Sequence, residues 1–294
     1  LTALTMIEAG APYGIAAGPD GALWFTLVHE GRVGRLLPGC DPVIHQLDPA
    51  DGQPTVIEPG PDGAMWFTEG KGDRVCRITA DGQVTSYAAS SPYGITAGPD
   101  GAMWFAEMRP GRIGRIGDDG ALTEFAVPVE GGMPALVTSG PDGALWFTIN
   151  QGDAIGRVSP AGQVTVHPLP TVGAAPVGIT LGPDDALWFV EIGAGQVGRI
   201  DVSGKITEFP LPDRAARPHA IITGPDDALW FTEWGTGRLG RITPSGTIDE
   251  HPIPWPPQEN DTTAPRNPEP HGLTVGPDGA IWVALEAGAL ARIS

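Results

Sequence analysis

Two histidines and two glutamates stand out in a chain of 294 residues that carries only six histidines. Glu269-Pro270-His271-Gly272 joins a carboxylate to an imidazole across one proline. An imidazole titrates near neutrality, so it can take or give a proton at physiological pH. His219 lies in a second phrase of the same form, Arg217-Pro218-His219-Ala220, and Glu286 follows Trp282 by four residues. Tyr13 and Tyr93 hold the position of His271 in two further copies, Pro12-Tyr13-Gly14 and Pro92-Tyr93-Gly94. Whether these groups act together depends on the elements that carry them.

Those elements repeat. Trp24, Trp66, Trp104, Trp146, Trp188, Trp230 and Trp282 are mostly 42 residues apart, a period that belongs to solenoids and propellers. Each follows a Gly-Pro-Asp turn, which begins at Gly18, Gly60, Gly98, Gly140, Gly182, Gly224 and Gly276. Proline presets φ for the first central position of a type I turn, so each phrase reads as a hairpin. Around it come four short strands, as in residues 94–125: one before the turn, Ala-Met-Trp-Phe after it, then Arg-Ile-Gly-Arg-Ile and Leu-Thr-Glu-Phe. Four strands seven times over predicts an all-β, seven-bladed β-propeller of four-stranded antiparallel blades, one domain over residues 1–294. The repeated tryptophans are core anchors, each worth about 4 kcal/mol as an upper bound. The repeated arginines 35, 77, 115, 157, 199, 241 and 292 read as partners of groups inside the blade. Residues 4–8 resemble a fourth strand, whereas the chain stops after a third, so the N-terminal strand is expected to complete the last blade.

Composition narrows the function classes. A net charge of -18, from 35 acidic and 17 basic residues, repels phosphate backbones and anionic membrane surfaces, so neither nucleic acid nor membrane is an expected partner. No apolar stretch is long enough to span a bilayer, and the first ten residues lack a secretory signal's pattern. Cys40 and Cys76 are too few to staple the fold and are expected as free thiols, which suits a cytoplasmic setting. A closed ring needs no second copy, so a monomer is expected.

Repeated positions build scaffold, and a site belongs where the repeats disagree. After the proline of the loop leading into each blade, the ring reads Tyr13, Thr55, Tyr93, Ala135, Val177, His219, His271. Only the seventh copy has an acid before that proline, Glu269, and Pro270 is expected to hold Glu269 extended. Three residues past the tryptophan, Glu69, Glu107, Glu191 and Glu233 recur and read as structural. The seventh blade has Leu285 there and Glu286 next, where others have Val28, Gly70, Met108, Asn150, Ile192 and Trp234. A one-residue shift turns a side chain to the opposite face, so Glu286 should face Glu269 and His271. The interval from Trp230 to Trp282 is ten residues longer than the usual unit, a candidate cover loop around 254–268, and Trp234 or Trp255 could stack on a ligand.

The chain resembles the streptogramin B lyases, also called virginiamycin B lyases, over essentially its whole length. The resemblance rests on the Gly-Pro-Asp-x-Ala-Leu-Trp-Phe-Thr-Glu and Ile-Gly-Arg-Ile units. More specific are Ala-Pro-Tyr-Gly at 11–14, Arg-Pro-His-Ala at 217–220, Glu-Pro-His-Gly at 269–272 and Ala-Leu-Glu at 284–286. It implies an Mg²⁺-dependent carbon–oxygen lyase that linearises type B streptogramin cyclic depsipeptides by elimination at the ring-closing ester, and so inactivates the antibiotic. By that resemblance His271 is the general base, with His219 assisting catalysis or orienting substrate. Glu269 and Glu286 are the metal ligands, and Tyr13 lies beside the substrate; from their own ring and loop positions Tyr93 and Trp234 are further candidates for binding substrate. Two other readings remain open: a transition-metal hydrolase or oxygenase built on the same His and Glu side chains, and a propeller that only binds a partner on its face.

Overall fold

The computed structural model describes residues 4–255 and 267–294, so part of the long loop lies outside the described residues. The repeat unit becomes a sheet because each turn closes on itself. In the third copy the Gly101 amide donates to the Gly98 carbonyl at 3.1 Å, and strands Pro92–Ala97 and Met103–Glu107 pair antiparallel across it. Arg112–Ile116 and Leu122–Ala126 then add in sequence, giving a four-stranded sheet. The other blades repeat this order around the ring.

Closure follows the expected route. Leu4–Glu8 pairs antiparallel with Ala289–Ile293, so the seventh blade contains strands from both ends of the chain. The seam that joins the two chain ends therefore lies inside blade seven, which packs against blade one.

One three-residue unit fastens the turn end of every blade. In the third copy the Asp100 carboxylate accepts from the Trp104 indole at 2.9 Å and from the Arg115 guanidinium at 2.7 Å. Equivalent Asp, Trp and Arg contacts recur in all seven blades. Partial burial alone would raise the carboxyl pKa of Asp100, but the bonds from Trp104, Arg115 and the Ala102 amide together hold it below its ordinary value. Both cysteines are free, Cys40 exposed and Cys76 buried. Among the described residues no helix is long and apolar enough to cross a membrane.

Candidate active site

At the other end of the blades, two repeated contacts fix the side chains that vary. The first ties neighbouring blades together. A threonine two residues past the tryptophan donates its hydroxyl to a carbonyl on the next blade: Thr68 to Tyr93 at 2.6 Å, and Thr232 to His271 at 2.8 Å. Tyr93 and His271 are thus held by their own backbone.

The second contact ties the two loops of one blade. The residue before the inbound proline has a left-handed φ, 49° at Ser91, 54° at Met133, 50° at Arg217 and 52° at Glu269. Its carbonyl accepts the amide of the residue four past the tryptophan, in the pairs Ser91 with Met108, Met133 with Asn150, Arg217 with Trp234, and Glu269 with Glu286 at 3.0 Å. The expectation of an extended Glu269 is corrected here. The local preference set by a following proline is overridden by a turn that the inbound loops share, and the turn aims the Glu269 carbonyl at Glu286. Only in the seventh blade does this clamp join two carboxylate residues.

The shifted acid faces inward as expected. Glu286 Oε2 lies 2.5 Å from His271 Nε2. The contact is close but is not a hydrogen bond of ordinary geometry, and Nδ1 has no partner among the described residues. Burial lowers the His271 pKa, and the Glu286 charge opposes that shift. Tyr13 stacks on the His271 ring at 4.4 Å and His219 meets it edge-on at 5.0 Å. Trp234 stands 6.2 Å away, tilted, with the Arg217 guanidinium over its own ring.

His219 sits in a different network. Tyr13 and Tyr93 join hydroxyls across the channel at 2.7 Å, and His219 Nε2 reaches both, at 3.3 and 3.4 Å. Burial, with His271 nearby, pushes the His219 pKa down to about 3, so this ring is neutral at working pH. Burial likewise raises the pKa of both tyrosines, so they are hydrogen-bonding phenols and not phenolates. The three rings cap the channel mouth.

One residue of the cluster escaped the sequence comparison. His29 Nε2 lies 2.5 Å from Glu286 Oε1, so Glu286 bridges two imidazoles. The ring comparison stopped at Val28, four past Trp24, while blade one carries its imidazole one residue later. That offset, placed beside blade seven by closure, was the available signal. Trp255 instead packs partly against the hydrophobic core that contains Trp230 and Leu273. The four recurring glutamates are fully buried within their blades, as their repetition implied.

The donor set suits a hard cation. The Glu269 carboxylate has no side-chain partner among the described residues, and the clamp ties its backbone to that of Glu286. Among the described residues no group of three or more His, Cys, Asp or Glu side chains converges on a metal position. Carboxylate oxygens, with water completing the shell, are the donors that Mg²⁺ accepts, and Glu269 and Glu286 supply that type of donor.

A seven-bladed propeller with an imidazole, a paired acid and a phenol cap over one channel mouth is laid out as an enzyme. The model of the virginiamycin B lyase family matches residues 2–293, and the chain belongs to that family. It is similar to a crystal structure of virginiamycin B lyase from Staphylococcus aureus, at 40% identity and a TM-score of 0.92, covering 99% of this chain and 98% of that one. It is also similar to a catalytically inactive histidine-to-alanine variant of that enzyme with quinupristin, at 39% identity and a TM-score of 0.90, over 99% and 98% of the two chains. A curated virginiamycin B lyase from Saccharopolyspora erythraea aligns over 84 residues at 56% identity, spanning 29% of this chain and 28% of that protein.

Proposed function

We propose that this chain linearises type B streptogramin cyclic depsipeptides by elimination at the ester that closes the ring, with His271 as general base. The observation that carries this reading is the buried His271 set against Glu286 at the channel mouth, in a chain similar along its length to a lyase that lost activity on replacement of one histidine. Nε2 is the nitrogen that Glu286 covers, and beyond Glu286 lies His29, which is 61% exposed. This is therefore the side that substrate reaches, and a rotation of the Glu286 carboxylate uncovers the nitrogen. Nε2 then takes the α-proton of the ester-bearing residue. The electron pair forms a carbon–carbon double bond, and the ester carboxylate leaves without addition of water. Tyr13, stacked on the imidazole, holds the plane of the base. Tyr93 and neutral His219 close the channel beneath and keep water from the reacting carbon, and Trp234 offers an aromatic wall for the substrate. Glu269 and Glu286 would hold Mg²⁺, which when bound supplies positive charge to stabilise the developing carboxylate and enolate-like character.

Incubation with a type B streptogramin and Mg²⁺, with and without EDTA, tests this. The expected product is ring-opened, equal in mass to the substrate, and lost on chelation. A product heavier by one water would establish hydrolysis instead, and an unopened ring in both arms would leave a binding propeller.

A further inference from the structure

Below the phenol cap the channel contains a carboxylate that the lyase chemistry does not use. A cavity of about 270 Å³ runs inward from Tyr13, Tyr93 and His219 and is lined further along by Glu58, Thr96, Thr138 and Thr180. These four share one ring position, the fifth residue of the first strand, where the remaining blades carry Ala16, Ile222 and Thr274. Glu58 is the only charged residue at that position. It makes no hydrogen bond or ion pair with any described residue, and protein encloses it except where it opens on the channel. The Thr96, Thr138 and Thr180 hydroxyls are equally without partners among the described residues.

A carboxylate with no protein partner on such a channel is favoured by a proton or a cation over standing as a bare charge. Burial alone lifts its pKa to about 7, so near neutrality the proton holds it weakly and a cation can compete. The surrounding donors are neutral hydroxyl oxygens, which suit a hard ion. One carboxylate balances one positive charge, whereas a divalent ion would leave excess charge in an enclosed channel. The cavity has room for an ion with several waters.

We propose that the central channel binds a single alkali-metal cation, Na⁺ or K⁺, between the Glu58 carboxylate and the hydroxyls of Thr96, Thr138 and Thr180, at a site distinct from the channel mouth. Such an ion is a ligand of the folded ring and stabilises it by mass action. Its test is thermal unfolding in NaCl, KCl and choline chloride at equal ionic strength, for the wild type, Glu58→Gln and Glu58→Thr. The second variant installs the residue that Thr96, Thr138 and Thr180 represent in other blades. The wild type should unfold about 2 °C or more higher in sodium or potassium than in choline. Both variants should lose that difference. An equal melting temperature in all three salts, or a sodium or potassium effect that survives in both variants, would overturn the site. If neither variant folds, thallium-soaked crystals of the wild type decide: an anomalous peak beside Glu58 supports the site, and an empty channel rejects it.

Discussion

The two ends of each blade obey opposite rules. At the turn end, Asp, Trp and Arg repeat seven times with nearly the same contacts. At the channel mouth the backbone clamp repeats, but its side chains change from Ser91 and Met108 to Arg217 and Trp234 to Glu269 and Glu286. The difference shows how a repeat protein grafts chemistry onto itself. At the mouth the bonds land on the backbone of the variable residue, from a neighbouring threonine and from the clamp, so its side chain can change without loss of register. At the turn end the side chains themselves make the bonds, and so they cannot vary.

If that division is real, changes at the mouth should destroy turnover and spare the fold. His271→Ala should reduce kcat by about 10³-fold or more, with a melting temperature within ~2 °C of wild type. Appreciable turnover in the folded variant would remove His271 as the base. Glu269→Gln and Glu286→Gln should each lose about 10²-fold at low Mg²⁺ and recover part of it as Mg²⁺ is raised. A loss that does not respond to Mg²⁺ would separate these residues from the metal.

Changes at the turn end should do the reverse, and more gently. Asp100→Asn keeps the shape and removes the charge facing Arg115, so unfolding should come a few degrees earlier with kcat unchanged; the pair is partly exposed and worth about 1 kcal/mol or less. The smallest effect is in pH. The aspartates at this end have folded pKa values below their ordinary range. Their contribution is therefore full above that range and is lost as pH falls below about 4 and through the depressed values. The melting temperature should drop there, and less steeply in Asp100→Asn; parallel curves would mean that Asp100 is not among the groups responsible.

The same division explains what could be read from the residues beforehand. The propeller, its closure by residues 4–8 and a partner inside the blade for each repeated arginine follow from repetition, which reports scaffold directly; that the partner is the turn aspartate, shared with the tryptophan, is seen only in the fold. His271, Glu286 and Tyr13 came from departures from the repeat, and closure does bring them together. Glu269 has its backbone tied to Glu286 but in a left-handed conformation and not the extended one expected, because a dipeptide preference says nothing of a turn shared around the ring. The contact of Tyr13 with Tyr93 and His219 joins blades one, three and six. It depends on channel width, which no adjacency in sequence encodes. His29 was passed over because a ring comparison assumes equal offsets, and the outbound loop of blade one breaks that assumption.

The seam gives the molecule a property of a different kind. His271 and Glu286 belong to blade seven, Tyr13 and His29 to blade one, and the strand that precedes Tyr13 lies in blade seven's own sheet. The groups proposed to react thus meet where the blade closed by the first strand packs on blade one. A ring still lacking its final strands, or nicked and sprung open at that junction, would keep most of its blades and have no working centre. Turnover is in that sense a proofreading signal: it reports that the circle has been completed.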